Sequence, residues 1–188
     1  MKTPRIIAIL LVISGIAISS TGAQIVNGSF ETPDTPSFLT INAGDTTISP
    51  WIVGLTSVDL ADVDNGFVVG PAFDGSQYID LDGTPGPGQL TQTFRTNPGS
   101  VYVLTLAYGN NYVNQASASA TVRVFDAMGD LLNQTITHST SVSGDLHWTL
   151  FRAQFTARKR MASFQITSLS GGGQGGILVD AVSVRQRR

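Results

Sequence analysis

The sequence predicts an all-β protein, a two-sheet antiparallel β-sandwich of the jelly-roll type, on three observations. Helical periodicity is absent after residue 23. In its place, short runs rich in β-branched and aromatic residues follow one another. Turn signals such as Asp82-Gly83, Gly129-Asp130 and Ser143-Gly144-Asp145 separate these runs. Short strands divided at regular intervals by turns are typical of sandwiches, not of parallel α/β sheets.

The N-terminal residues predict a Sec-type signal peptide. Lys2 and Arg5 precede an apolar run, and small residues follow that run. The run is shorter than the roughly 20 apolar residues that a membrane-spanning helix needs. We therefore expect a secreted, extracellular protein in which residues 1–23 are removed, residues 24–184 form one sandwich domain and residues 185–188 form a basic tail.

The clearest predicted strand is Ser117–Phe125, in which apolar and polar side chains alternate, so that one face is buried and the other is wet. Further predicted strands are Gln77–Asp82, Gln89–Arg95, Val101–Tyr108, Leu131–Thr137, Trp148–Thr156, Ser163–Ser168 and Ile177–Val184. Weaker candidates are Ile25–Phe30, Trp51–Val53 and Phe67–Val69. The polar stretches Thr32–Thr47 and Ser170–Gly176 are predicted to be loops.

Composition excludes several function classes. The chain has no Cys, which excludes thiol chemistry and disulfides. Loss of Lys2 and Arg5 with the signal peptide leaves nine basic residues against 13 acidic ones, a net charge of −4. A nucleic-acid partner is therefore not expected. Neither is a membrane span once the signal peptide is gone, and the sequence leaves the oligomeric state open.

Several sequence blocks together resemble a known family. They are Ile25–Glu31, Trp51 with Val58-Asp59, Asp74–Gln77, Ile79–Gly83, Gln92–Phe94, Pro98-Gly99, Tyr102–Asn110, His147–Thr149, Phe155–Ala157 and Gly176–Val184. In this order they resemble the choice-of-anchor C group of bacterial surface proteins and, more distantly, the plant cell-wall domain-of-unknown-function family 642. The resemblance implies a galactose-binding-like jelly roll, a superfamily that contains many carbohydrate-binding modules.

The resemblance also implies a structural Ca²⁺ where the first and last strands meet, with Glu31 and Asp180 as its ligands. Ca²⁺ takes six to eight oxygen ligands, so backbone carbonyls would have to complete the site. In the alternative, Glu31 hydrogen-bonds a loop and Asp180 faces solvent. For the other acidic cluster, Asp59, Asp62 and Asp64, we expect a solvated loop, since the glycine and closing glutamate of an EF-hand are absent.

Sugar recognition requires flat apolar faces and planar polar side chains in a partly exposed groove. Tyrosines, amides and one carboxylate on a predicted exposed strand face meet this requirement. The predicted carbohydrate-binding residues are Tyr78, Asp80, Gln92, Tyr108, Asn110, Asn111 and Tyr112. Trp51 and Trp148 are expected to pack in the core.

The leading hypothesis is a secreted, non-catalytic module that binds polysaccharide or another glycan. An alternative is an extracellular structural or adhesive matrix protein that binds other proteins. A glycoside-active enzyme is weaker, because Glu31 is the only glutamate and no Gly-x-Ser-x-Gly motif accompanies His138 and His147.

Overall fold

The computed structural model describes residues 24–64, 69–113, 115–170 and 175–187. The predicted signal peptide, part of the weak candidate Phe67–Val69 and most of the glycine-rich loop lie outside the described residues. Within them the chain forms eleven strands and no helix. The strands are β1 (Phe38–Asn42), β2 (Ile52–Leu55), β3 (Ser57–Asp62), β4 (Gln77–Asp80), β5 (Gly88–Arg95), β6 (Val101–Asn110), β7 (Ala118–Asp126), β8 (Gly129–His138), β9 (Thr149–Thr156), β10 (Met161–Ser168) and β11 (Ile177–Gln186).

The strands form two antiparallel sheets. One has six strands in the order β1-β3-β4-β11-β6-β9, and the other has five in the order β2-β5-β10-β7-β8. Most strands pair with partners distant in sequence, as β11 does with β4 and β6. The predicted all-β, two-sheet antiparallel sandwich is confirmed. In the part of the chain that the structure describes, no helix is long and apolar enough to span a membrane.

The main hydrophobic core lies between the sheets because the strands alternate. In β7 the apolar residues from Ala118 to Val124 are buried and the polar ones between them are not, as predicted. The centre of the core is aromatic: the ring of Trp51 lies 5.3 Å from that of Phe30 and 5.9 Å from that of Phe164. Trp51 also donates a hydrogen bond from Nε1 to the carbonyl of Asn27 at 2.8 Å, so its one polar atom is satisfied inside the core.

A second, smaller core lies on the outer face of the six-stranded sheet. Ala61, Tyr78 and Leu178 project from β3, β4 and β11 and pack with Val69 and Leu146 from two covering loops. These loops therefore cover the β3-β4-β11 part of the outer face, while the part formed by β11, β6 and β9 stays open.

Two parts of the sequence interpretation are wrong. The predicted loop Thr32–Thr47 contains strand β1, and the acidic stretch expected to be a solvated loop contains β3, a strand buried along its whole length. Asp59 and Asp62 are buried, and only Asp64 is exposed. A loop covers the outer face of β3, which buries Asp59 with Ala61, whereas Asp62 lies on the same face as Leu60, toward the main core.

The strand ends also differ. The segment Ile25–Phe30 is not a strand, but it follows β11 through backbone hydrogen bonds from Gln24 to Val184 and from Val182 to Gly28. At the other end β11 continues to Gln186, so it includes the first two residues of the predicted basic tail.

Gln92 anchors the N-terminal segment to the five-stranded sheet. Its side chain is buried, accepts a hydrogen bond from the Val26 N–H at 2.8 Å and donates one to the Val26 carbonyl at 2.9 Å. The amide side chain thus pairs with the backbone as another strand would. Buried backbone groups need such partners, and this pair replaces the β-ladder that the segment lacks.

We predict that Gly28→Ala destabilises the protein. A Cβ at this position would overlap the carbonyl oxygen of Val182, and the N–H of the same Val182 donates a hydrogen bond to the Gly28 carbonyl. Because both contacts are backbone, the segment must move, and we expect a loss of about 1–3 kcal/mol in the free energy of unfolding by urea denaturation. The matched control is Gly86→Ala, whose Cβ would meet Thr56 at no less than 3.8 Å. Equal midpoints for the two variants would contradict the prediction.

Candidate functional site

Two carboxylates bind the loop of residues 73–76, which we call the clamped loop, and the residue that follows it, Gln77 at the start of β4. Asp180 Oδ2 accepts hydrogen bonds from the N–H groups of Phe73 and Asp74, both at 2.9 Å. Glu31 Oε1 accepts from the N–H groups of Ser76 at 3.1 Å and Gln77 at 2.9 Å. The loop is therefore held from both ends of the chain, since Glu31 follows the N-terminal segment and Asp180 lies on the last strand.

The close approach of Glu31 requires a glycine in the clamped loop. Gly75 has φ +71°, and a Cβ there would lie 2.5 Å from the Glu31 carboxylate carbon. Only glycine adopts this backbone conformation without strain while leaving room for the carboxylate.

The predicted Ca²⁺ site fits this arrangement poorly. Glu31 also accepts from the Ser76 N–H and hydroxyl at Oε2, both at 3.3 Å, so its lone pairs are engaged by the loop. Asp180 also accepts at Oδ1 from the Ala181 N–H. Among the described residues no group of three or more His, Cys, Asp or Glu is placed to share a metal ion. Asp180 is buried and does not face solvent, and Ca²⁺ at this junction stays a prediction.

The residues predicted to bind sugar do not form one exposed surface. Five of the seven are buried, which corrects the expectation that they are exposed: Tyr78, Asp80, Gln92, Asn110 and Asn111. Tyr108 and Tyr112 are half-buried, the first against the main core and the second against the smaller one. A role in binding therefore stays a prediction for these two tyrosines.

The buried polar residues serve the fold by bonding loops to strands. Asp80 Oδ2 accepts from Asn111 Nδ2 at 2.9 Å, while Oδ1 accepts from the N–H groups of Asp82 at 2.9 Å and Gly176 at 2.8 Å. Asn110 Oδ1 contacts His138 Nδ1 at 2.8 Å. In the sequence, residues that bind a sugar and residues that hold a loop in place show the same pattern, a polar side chain in or next to a strand. The pattern therefore could not distinguish the two roles.

An open groove of about 830 Å³ lies on the uncovered part of the six-stranded sheet. Its floor is the outer face of β11, β6 and β9, with Thr105 and Arg152 opposite each other in register. One wall is formed by Ser29 and the start of the clamped loop, Phe73 and Asp74. The volume is within the range of sites that take small ligands or a few sugar units, about 300–1,000 Å³.

Phe73 offers this groove an aromatic face. Its side chain is 44% exposed, and its ring meets that of Trp148 edge-on at 6.3 Å. Trp148 is itself fixed, since it packs on Tyr78 at 5.7 Å and donates from Nε1 to the Pro71 carbonyl at 2.9 Å. The expectation that both tryptophans pack in a core is met, with Trp148 half-buried against the smaller one.

Sequence reasoning missed the residues that line the groove. Alternation alone places Arg152 on the opposite face of β9 from Phe151 and Phe155, and Arg185 on the opposite face of β11 from Val184. That signal was present in the sequence. It does not show that β11 and β9 both flank β6, which is what brings the two arginines to one surface.

Three solved structures that are similar to this chain share its fold. The structure of TmCBM61 in complex with β-1,4-galactotriose matches at a TM-score of 0.60 with 15% identity, over 89% of this chain and 100% of that one. A structure described as "CBM4 structure and function" matches at 0.51 with 18% identity, over 87% and 99%. The arabinose-bound α-L-arabinofuranosidase MgGH51 matches at 0.54 with 15% identity, over 89% of this chain but only 27% of that one. At these identities the likeness shows the fold alone.

One protein family is matched by sequence. The model of the family described as "Protein of unknown function (DUF642)" matches residues 23–185, nearly the whole chain. No curated protein is detectably similar to the chain.

We predict that stability falls as pH rises from about 4 to about 7. Burial raises the pKa of Asp80 from 3.8 to about 7, against the opposing hydrogen bonds from Asn111, Asp82 and Gly176. In this window the folded protein holds a proton that the unfolded chain has released, so the stabilisation is complete below pH 4 and is lost as pH rises through the folded pKa. Urea unfolding across this range should show the decline, and Asp80→Asn should make it shallower; the remaining slope comes from Asp180, whose pKa burial also raises to about 7.

The control for this experiment is Asp130→Asn. The hydrogen bond from Arg123 lowers the pKa of exposed Asp130, so its titration affects stability only below about pH 4. This variant should keep the wild-type slope between pH 4 and 7. A slope unchanged by Asp80→Asn would show that Asp80 is ionised in the folded protein throughout.

The Ca²⁺ prediction is tested by thermal melting with EDTA and with added CaCl₂. A ligand that binds only the folded state stabilises it, by about 2.7 kcal/mol at a hundredfold excess over its dissociation constant. Ca²⁺ held by these carboxylates would raise the wild-type midpoint and leave that of Glu31→Gln unchanged. Identical wild-type curves in EDTA and in Ca²⁺ would reject the site and leave the hydrogen bonds of Glu31 and Asp180 as the whole function of these carboxylates.

Proposed function

The chain belongs to the DUF642 family, and on this basis we propose that it is a secreted, non-catalytic carbohydrate-binding protein that holds polysaccharide in the groove on its six-stranded sheet. The observation that carries the proposal is the groove itself, with the exposed ring of Phe73 on its wall. Its fold is shared with carbohydrate-binding modules. The relation to the choice-of-anchor C group, which the sequence blocks suggested, is part of the same proposal.

The groove suits a sugar chain by shape and by chemistry. It is open to solvent, so a polymer can lie in it without its ends being enclosed. Phe73 supplies a flat apolar face for the C–H groups of a pyranose ring, while Ser29, Thr105 and Ser183 supply hydroxyls. Leu150, 65% exposed, adds apolar surface on β9.

The groove gives little support to hydrolysis. Glycosidases use two carboxyl groups that flank the scissile bond. Among the described residues that line the groove, Asp74 alone carries a carboxylate. It accepts a hydrogen bond from the Ser29 hydroxyl at 2.6 Å. We therefore propose retention of polysaccharide without turnover.

We predict that Phe73→Ala weakens polysaccharide binding while leaving the fold intact. Loss of one aromatic contact should weaken binding by about 1 kcal/mol or more, a fivefold or larger rise in Kd. The measurement is native affinity electrophoresis against a panel of neutral and acidic soluble polysaccharides, with urea unfolding to verify the fold.

The matched control is Phe38→Ala. Phe38 is exposed to nearly the same extent, 43%, but lies on β1, at the opposite edge of the sheet from β9. Loss of retention in both variants alike would show that general surface hydrophobicity causes it. Release of reducing sugar from a retained polysaccharide would overturn the non-catalytic proposal.

A further inference from the structure

Three arginines lie along the floor of the groove. Arg185 lies on β11, Arg187 directly follows its last residue and still donates its N–H to the Val101 carbonyl of β6, and Arg152 lies on β9, on the far side of β6. All three are exposed. Residues two apart on a strand are separated by about 7 Å, and neighbouring strands by about 4.8 Å, so the three guanidinium groups span an area comparable to a few sugar units.

These arginines have no acidic partner among the described residues. In the described part of the chain, two arginines form ion pairs, Arg123 with Asp130 and Arg158 with Asp126, and both pairs lie outside the groove. In the groove, Arg187 Nη1 donates to Gln154 Oε1 at 3.2 Å and Arg185 Nε donates to Ser183 Oγ at 3.3 Å. Each guanidinium has five N–H donors, so most of them stay available to a ligand.

Hydrogen bonds to uncharged side chains hold Arg185 and Arg187 along the floor of the groove. Because β6 separates β11 from β9, the bond from Arg187 to Gln154 places its side chain across β6. Arg185 is held by Ser183, the residue two positions earlier on the same strand face. Preorganised donors of this kind bind a ligand at a smaller entropic cost than free surface side chains.

The charge of the groove is opposite to that of the protein. The whole chain has a formal net charge of −2, yet three arginines and one carboxylate, Asp74, line this surface. Asp74 lies at the wall formed by the clamped loop and already accepts the Ser29 hydroxyl. A positive patch on a negative protein attracts anions locally, while the protein as a whole repels polyanions in general.

We propose that the groove takes an acidic polysaccharide, in which carboxylates of uronic acid units pair with Arg152, Arg185 and Arg187 while a sugar ring packs on Phe73. This inference rests on the proposed carbohydrate-binding function and names its ligand class. Arginine suits the role because its planar fork matches a carboxylate in a bidentate geometry. A polymer that carries an acid on successive units can engage several arginines at once.

The test compares one polymer with and without its charge. Polygalacturonate should retain the protein in native affinity gels, and the same polymer after full methyl esterification should bind at least about tenfold more weakly, since charged hydrogen bonds are lost. The double variant Arg152→Gln/Arg187→Gln should lose the same factor toward polygalacturonate and bind the esterified polymer as the wild type does.

The matched control is Arg95→Gln/Arg160→Gln, which removes the same charge from exposed positions outside the groove. It should bind polygalacturonate like the wild type. Equal losses in the two double variants, or equal retention by polyglutamate, would show attraction by overall charge and overturn the proposal.

The remaining outcomes separate the two proposals. Equal wild-type binding to the charged and esterified polymers, unaffected by the groove variant, would overturn the acidic ligand and leave carbohydrate binding standing. Tenfold tighter binding to dextran sulfate than to polygalacturonate would overturn the carboxylate as the group recognised. Failure to retain any neutral or acidic polysaccharide would overturn both.

Discussion

The buried carboxylate of Asp180 holds the loop that forms one wall of the groove. This carboxylate is fully buried, and burial raises its pKa to about 7 despite its hydrogen bonds from the clamped loop. It lies where β11 is irregular, just before Ala181, whose φ is +50°. A bulge changes the direction in which nearby side chains point. Here the Asp180 carboxylate points toward the clamped loop and accepts hydrogen bonds from the N–H groups of Phe73 and Asp74. One irregular strand position thus fixes a wall of the groove.

Hydrogen bonds, not disulfides, also hold the N-terminal segment against the last strand. The N-terminal segment has no strand of its own, and it is held by single hydrogen bonds to β11, by Gln92 and by the Trp51 indole. Each of these contacts gives a hydrogen-bond partner to a backbone group of a segment that has no β-ladder of its own. Glu31 then extends the attachment to the clamped loop. A protein without cysteine can therefore tie its two ends together through hydrogen bonds of backbone and side-chain groups.

Sheet order divides the outer face of the six-stranded sheet into two halves of opposite character. The acid-rich strands β3 and β4 lie on one side of β11, and loops cover the two carboxylates on their outer face, Asp59 and Asp80. The arginine-bearing face of β11 and β9 lies on the other side and stays open. Nine acids precede Leu90 and most basic residues follow it, so the segregation already present along the chain becomes a segregation across one sheet. Burial weakens the acids as charges, as the raised pKa of Asp59 and Asp80 shows, and leaves the arginines to dominate the groove.

The sequence by itself determined the fold class and most strands, because alternation is a local property: the buried face of β7 could be assigned residue by residue. It could not determine what covers an outer face. Asp59, Asp80 and Tyr78 have the pattern of exposed strand residues, yet the loops above them make a second core. Nor could it show that Arg152 and Arg185, which are more than thirty residues apart along the chain, lie on the same surface. Their meeting depends on β6 pairing with both β9 and β11, and strand order is set by the packing of the whole sandwich, which no local pattern records.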